Sequence, residues 1–131
     1  MVRVFTEADA KDLGLKGRKS LEIVSGLSGE SGVTVRLVEI PVPGPGEKLR
    51  GPHRHTDFEE CIYILSGQGT MESDTGNHDL KTGDTIVIPP GEWHVTRNTG
   101  TEPIMMLCYF PVGDIRPNTE NMSTENAPEE S

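Results

Sequence analysis

Residues 83–98 read GDTIVIPPGEWHVTRN, and they give the clearest indication of how the chain folds. The β-branched run at 85–88 has the length of a strand, and a second strand-like run spans 93–98. Between them, Pro89, Pro90 and Gly91 have the composition of a tight turn. The stretch therefore predicts two consecutive strands joined by a turn, with His94 near the start of the second.

The body of the chain repeats this arrangement of short strands and turns. Further runs rich in Val, Ile, Thr and aromatic residues occur at 21–24, 33–40, 60–65, 69–73, 79–81 and 104–110. Segments rich in Gly, Pro, Asn and Asp separate them, as expected for turns. No long helix alternates with the strands, which argues against a parallel α/β sheet. The pattern predicts an all-β sandwich or closed barrel.

The two ends of the chain are expected to differ from this body. Thr6-Glu7-Ala8-Asp9 has the form of a capping box and Gly14 can end a helix, so a short N-terminal helix is expected. The chain after Pro111 is too polar to bury a core, and we expect it to lack fixed structure. The expected division is an N-terminal extension at 1–19, a barrel at 20–112 and an acidic polar tail at 113–131.

Size and charge limit the classes of function. The 131 residues suit one domain, and the net charge of -9 has the wrong sign for binding nucleic acid or anionic lipid. The two cysteines, Cys61 and Cys108, are too few for a disulfide scaffold. Neither a signal peptide nor an apolar run of membrane-spanning length is expected. We therefore expect a cytoplasmic protein that binds neither nucleic acid nor membrane.

A cluster of metal-ligand residue types begins at His53. One residue separates His53 from His55, so in an extended segment both rings project from the same face, about 7 Å apart along the chain. Glu60 opens the next apolar run, and a short turn can bring its carboxylate to the same side. His94 can face back toward this pair from its own strand. Together they offer three nitrogens and one oxygen to a single ion.

At these residues the sequence resembles the cupin superfamily, which carries two motifs. The first motif, two His separated by one residue, then Glu and then Gly, is matched by His53, His55, Glu60 and Gly67. The second motif is matched at every position, by Gly83, Pro89, Gly91, His94 and Asn98. In the first motif the leading Gly of the family is replaced by Glu47. Glu59 is an alternative to Glu60 because the family tolerates both spacings, but Glu60 alone leaves six residues before Gly67.

The resemblance implies a double-stranded β-helix, the jelly-roll barrel, of six to eight strands that often forms a homodimer. It also implies that His53, His55, Glu60 and His94 hold one divalent metal inside the barrel. Mixed nitrogen and oxygen ligands fit Mn, Fe, Co, Ni or Zn, and disfavour copper held by thiolates or calcium held by oxygens alone.

Such a site suits a small oxygenated or anionic molecule. We expect an enzyme of the dioxygenase, decarboxylase, lyase or isomerase type, in which the ion acts as Lewis acid and template. A noncatalytic barrel that binds or senses a small molecule is the alternative. A structural barrel without metal is a third, weaker option. No general base outside the ligand set is evident, so the reaction type stays open.

Several other residues have open interpretations. Arg36 interrupts an apolar run and is either a pocket-lining cation or an ordinary exposed arginine. Cys61 is expected to be a buried, inert thiol. Tyr63 lies three residues from Glu60 and so on the opposite strand face, where it would pack on the sheet or at an interface. His78 is expected to be exposed. Trp93 and the methionines Met105 and Met106 wall the cavity or fill the core.

Overall fold

The computed structural model describes residues 1–122, which fold into two facing antiparallel sheets. The strands are β1 (Lys11–Asp12), β2 (Lys19–Val24), β3 (Thr34–Ile40), β4 (His53–His55), β5 (Glu60–Ser66), β6 (Gln68–Ser73), β7 (Gly76–Lys81), β8 (Thr85–Ile88), β9 (His94–Asn98), β10 (Ile104–Phe110) and β11 (Thr119–Asn121). The first sheet has the order β1-β2-β3-β10-β5-β8, and the second has the order β11-β4-β9-β6-β7. This architecture confirms the predicted all-β jelly-roll barrel.

The core lies between the two sheets and follows from alternation along the strands. In β10, Ile104, Met106, Cys108 and Phe110 are buried while the residues between them are partly or fully exposed. The second sheet contributes inward side chains such as Met71 and Leu80 to the same cluster. Burying each large apolar side chain contributes roughly 1.5–3 kcal/mol. The period-two pattern read from the sequence is therefore the pattern that the packing uses.

The predicted N-terminal helix is wrong, because only a 3-10 turn at Glu7–Asp9 forms. The Thr6 hydroxyl donates to the Asp9 carboxylate at 2.8 Å and caps no backbone N–H. The chain is already extended by Lys11, which pairs with Glu22 of β2. The turn buries none of its residues, so no packing favours a helix there. No helix in the described part of the chain is long and apolar enough to cross a membrane.

The expectation that the chain after Pro111 lacks fixed structure is wrong as far as residue 122. Ile115 is 1% exposed and belongs to the core, and Thr119–Asn121 pairs with β4. The buried isoleucine, the edge pairing and hydrogen bonds such as that from Gly26 N–H to the Gly113 carbonyl hold this polar segment against the barrel. The remainder of the expected tail, residues 123–131, lies outside the described residues.

Two other expectations are corrected by the fold. Arg36 is neither exposed nor in the ligand cavity: it is 2% exposed, and its guanidinium donates from Nε and Nη2 to Glu22 Oε1 at 3.2 and 3.0 Å. Cys61 lies on the outer face of its sheet and is half-buried, whereas Cys108 is the buried thiol.

Candidate metal centre

The four predicted ligand residues meet inside the barrel. His53 and His55 lie on β4 and His94 on β9, in the same sheet, while Glu60 begins β5 in the facing sheet. All four are buried, with exposed fractions between 2% and 7%. One potential ligand atom from each residue lies within 4.8 Å of those of the other three. The cluster therefore bridges the two sheets.

Local backbone geometry places the three imidazoles. Alternation along β4 turns His53 and His55 inward and Arg54 outward, where its guanidinium lies 4.5 Å from the centre of the Trp93 ring. The pairing of β4 with β9 sets His53 directly opposite His94, and their ring centroids are 4.4 Å apart. Two short strands thus bring three nitrogen donors to one point.

A turn and an aromatic contact set the remaining geometry. Asp57 adopts a left-handed conformation, with φ of 73°, in the turn between β4 and β5, from which Glu60 enters the opposite sheet. Phe58 stacks on the His55 ring at 5.6 Å between centroids. Glu59, the alternative oxygen ligand, is exposed, so only Glu60 of the two faces the imidazoles.

The atoms of the cluster that could bind a metal have no hydrogen-bond partners. His53 Nε2, His55 Nε2, His94 Nε2 and Glu60 Oε1 are all buried and unpartnered. Glu60 Oε1 lies 3.4 Å from His55 Nε2 and 3.3 Å from His94 Nε2. Two atoms that are each about 2.1 Å from one ion are roughly 3.0–3.4 Å apart. The spacings of Glu60 to His55 and to His94 therefore match two ligands of one divalent ion, and the cluster could hold a metal.

The charge states of the cluster suit a cation. Burial lowers the pKa of His53 well below its usual value, and repulsion from His94 and His55 lowers it further, so this ring is neutral. Burial opposes ionisation of Glu60, but the adjacent rings of His55 and His94 outweigh it and hold its pKa well below the usual range. Burial also opposes a charge on His94, yet Glu60 leaves the His94 pKa raised. A metal ion would replace the proton held there.

The tautomer of His94 is set by the backbone. His94 Nδ1 lies 3.0 Å from the carbonyl oxygen of Glu92, and a carbonyl can only accept a hydrogen bond. Nδ1 therefore carries the proton in the neutral ring, and Nε2 presents its lone pair to the cluster. This arrangement is the usual support of a metal-binding histidine.

A small cavity adjoins the cluster on one side. Its volume is about 20 Å³, and His53, Glu60 and His94 form part of its wall together with Arg18 and Arg50. The remaining lining residues are Val38, Ile40, Ile62, Thr96, Met106 and Cys108. Burial, and to a smaller extent the nearby Glu60 carboxylate, raise the pKa of the Cys108 thiol well above its usual value, so it stays protonated.

A larger cavity lies next to the small one. It has a volume of about 260 Å³ and shares Ile40, Arg50 and Thr96 with the inner cavity. Arg50 therefore stands between an outer pocket and the ligand cluster. Sequence reasoning missed Arg18 and Arg50, because both lie outside strands and neither is one of the positions that define a motif.

The other singled-out residues lie away from the cluster. Tyr63 is 44% exposed on the outer face, as expected from its position opposite Glu60. His78 is exposed. Met106 both packs in the core and lines the inner cavity, whereas Trp93 lies under Arg54 outside it.

The family model described as the cupin domain matches residues 36–110, more than half of the chain. The chain belongs to the cupin family. This cupin is 42% identical over 77 residues to an uncharacterised protein of Methanocaldococcus jannaschii, covering 59% of the chain and 60% of that protein. It is 32% identical over 66 residues to an oxalate-binding protein of Thermotoga maritima, covering 50% of the chain and 54% of that protein.

Solved structures share the fold. The cupin matches oxalate decarboxylase of Lactobacillus farciminis, in a formate complex, with a TM-score of 0.72 and 22% identity, over 88% of this chain and 34% of that one. It matches Bacillus subtilis oxalate decarboxylase, a protein with Mn(II) centres, with a TM-score of 0.71 and 20% identity, over 88% of this chain and 31% of that one. The polyketide cyclase RemF of Streptomyces resistomycificus matches with a TM-score of 0.72 and 21% identity, over 95% of this chain and 88% of that one.

Proposed function

We propose that this cupin binds one divalent transition metal through His53, His55, Glu60 and His94, and that the bound ion takes a small anionic oxygen ligand such as a carboxylate. The observation that carries the proposal is the meeting of four buried, unpartnered donor atoms beside a cavity walled by two arginines. No other group in the described residues offers so many ligand atoms at one buried point.

The donor set supports a first-row metal. Three neutral imidazoles and one carboxylate would leave a divalent ion with a net charge near +1, which favours anions. Mn, Fe, Co, Ni and Zn all accept mixed nitrogen and oxygen ligands. Among them Mn has added support, because the structurally similar Bacillus subtilis oxalate decarboxylase has Mn(II) centres.

The cavity supports a ligand of small size and negative charge. Arg18 is 6% exposed and Arg50 is half-buried, and guanidinium groups pair with carboxylates in a bidentate manner. A volume of about 20 Å³ holds little more than one water molecule, so larger ligands would have to displace Arg50 toward the outer cavity. The oxalate-binding relative supports oxalate as the first compound to test.

The reaction class we propose is that of a metal-dependent dioxygenase, decarboxylase, lyase or isomerase. The ion, when bound, would supply Lewis acidity and a template for the ligand. The chain would orient a carboxylate through Arg50, exclude water with Ile40 and Met106, and keep the Cys108 thiol protonated.

Noncatalytic binding is the second candidate, and one observation favours it. Among the described residues that line the inner cavity, no carboxylate or imidazole occurs besides His53, Glu60 and His94. The inner cavity thus offers no proton acceptor beyond these three residues to assist a reaction at the ligand. Turnover assays on oxalate, β-diketones, catechols and sugar acids separate the two candidates.

Metal analysis and calorimetry test the proposal directly. Untagged protein should carry close to one equivalent of transition metal, and His94→Ala should lower it below a tenth. Metal-loaded protein should bind oxalate, and Arg50→Met should weaken that binding at least tenfold while leaving the metal content intact. Arg116→Met, which removes an exposed arginine paired with Asp114, is the matched control. Wild-type protein that carries no transition metal would overturn the proposed metal site. An Arg50→Met variant that binds oxalate as tightly as wild type would overturn the proposed role of Arg50 in anion binding.

We further propose that two copies pair through the outer face of the six-stranded sheet. Tyr63, Leu65, Val87 and Tyr109 are 40–55% exposed on this face. Strand pairing places Leu21, Leu37, Leu107 and Tyr63 in one row across it. The strands β2, β3, β10, β5 and β8 contain 31 residues, which at about 3.3 Å per residue and about 4.8 Å between strands give roughly 490 Å² of projected area.

The area and chemistry of this face favour a second copy as its occupant. Monomeric proteins rarely expose more than a few hundred Å² of continuous apolar surface, and each partner in a small stable dimer buries about 600 Å². A two-fold axis would set the same apolar face against itself. Sedimentation should show a dimer that Val87→Glu dissociates and His78→Glu does not. A wild-type monomer at high micromolar concentration would refute the interface.

A cytoplasmic location is also proposed. Cys61 and Cys108 are free thiols, which suits a reducing compartment. Cell fractionation with an antibody against the native protein tests it, and recovery outside the cytoplasmic fraction would contradict it.

A further inference from the structure

The C-terminal segment contacts the ligand cluster at His55, through the ring nitrogen that does not face Glu60. Strand β11 pairs antiparallel with β4 and sets Thr119 directly opposite His55. Thr119 Oγ1 lies 2.9 Å from His55 Nδ1 and 2.7 Å from the carbonyl oxygen of Ile115. One hydroxyl thus joins a buried imidazole to the backbone of a segment 64 residues away in sequence.

The chemistry of these three groups determines the direction of both hydrogen bonds. A carbonyl oxygen can only accept, so the single hydroxyl proton of Thr119 goes to Ile115. Toward His55 the same hydroxyl oxygen must then accept, and His55 Nδ1 must carry the proton. In the neutral ring this leaves Nε2 with a free lone pair, and Nε2 is the atom that faces Glu60 Oε1 at 3.4 Å.

The acceptor end of this chain of hydrogen bonds is held in place by the core. Ile115 is 1% exposed and belongs to the hydrophobic cluster. The turn that follows it is tied to the end of β4, since the Thr56 N–H donates to the Asn118 carbonyl at 2.8 Å. The position of the Thr119 hydroxyl is therefore determined by packing on one side and strand pairing on the other.

We propose that Thr119 is a positioning residue which holds His55 in the tautomer and orientation required to bind the metal. This inference rests on the proposed metal site. His94 obtains the same support from a carbonyl two residues away, so its geometry is local. His55 obtains it from β11, so the site is complete only when the C-terminal segment is docked.

Metal affinity measures the effect of the hydroxyl. Loss of the group that orients a metal-binding histidine typically weakens metal binding by about 10–100-fold. Thr119→Val keeps the shape and removes the hydroxyl, whereas Thr119→Ser keeps the hydroxyl. We expect the dissociation constant for Zn²⁺, measured by competition with a chelating dye, to rise at least tenfold in Thr119→Val. Thr119→Ser should stay within about threefold of wild type.

A second readout does not require metal. Nitrogen-15 NMR of the metal-free protein should show His55 protonated at Nδ1 in wild type and Thr119→Ser, and a mixture of tautomers in Thr119→Val. Thr70→Val, which removes a strand hydroxyl bonded to Asp79, is the matched control and should change neither measurement.

The outcomes separate this inference from the proposed function. Equal Zn²⁺ affinity in Thr119→Val and wild type, or equal loss in Thr119→Ser and Thr119→Val, would overturn the role of the hydroxyl. A wild-type protein that binds none of the tested metals would overturn the proposed function. In that case the His55 tautomer still decides whether Thr119 positions the ring.

Discussion

Loading the metal-free protein with its divalent ion is expected to raise the unfolding midpoint by about 10 °C. Four buried donor atoms lack partners without the ion, and the ion would satisfy all of them at once. An ion present at a hundred times its dissociation constant stabilises the folded state by about 2.7 kcal/mol. The unfolding entropy of 131 residues is roughly 0.28 kcal/mol/K, and the ratio of the two gives the shift.

Two histidine variants make the test specific. His94→Ala removes one of the four donors, so its midpoint should rise by less than about 3 °C on loading. His78→Ala removes an exposed imidazole outside the cluster and should keep the full shift. Because loaded and metal-free forms of the same variant are compared, the direct cost of each substitution cancels.

Differential scanning calorimetry after chelation and after reloading measures the shift. Mn²⁺, Fe²⁺, Co²⁺, Ni²⁺ and Zn²⁺ should be tried separately, because the donor set accepts each of them. A wild-type unfolding midpoint that moves with none of these ions would contradict the expected stabilisation, as would a full shift in His94→Ala.

Three further predictions concern packing and thiol chemistry. Phe110→Ala removes a fully buried ring that contacts Phe58, and we expect it to lower the free energy of unfolding in urea by about 3–5 kcal/mol. Leu27→Ala, on the surface, should lower it by less than about 0.5 kcal/mol. Gly69→Ala would place a Cβ onto the carbonyl oxygen of Arg97 in the neighbouring strand, and it should lower the free energy of unfolding by at least about 1–3 kcal/mol. Gly32 has open space at the position of a Cβ, so Gly32→Ala should be nearly neutral. Ellman's reagent should modify Cys61 in the folded Val87→Glu monomer but Cys108 only after unfolding, because Cys108 is buried and its pKa is raised. Two fast-reacting thiols in the folded monomer would contradict this.

The parts of the site that sequence predicted are those governed by local geometry. His53 and His55 share a face because side chains alternate along any strand, and that rule needs no tertiary information. The turn at Pro89, Pro90 and Gly91 placed His94 near the start of a strand. The spacing to Gly67 favoured Glu60 over Glu59 as the oxygen ligand. The structure brings all four of these residues together.

The failures of prediction arise where packing overrides local signals. The capping box at Thr6 predicted a helix, but the chain pairs with β2 two residues after the turn and buries nothing in it. The polar composition around Ile115 predicted no fixed structure, yet this residue is buried in the core. Arg36 had two expected roles and takes neither, because a buried carboxylate at Glu22 lies on the neighbouring strand.

The strand-rich architecture and the chemistry of the four donor residues could be read from the chain alone, because both depend on side-chain type and on spacing over a few positions. The placement of Arg18, Arg50 and Thr119 around those donors became visible only in three dimensions. Thr119 reaches His55 through the pairing of β11 with β4, 64 residues apart in the chain, and Arg18 and Arg50 reach the cavity from segments outside the strands. The free energy of such pairing depends on what each strand meets across the barrel, and no short stretch of sequence contains that information.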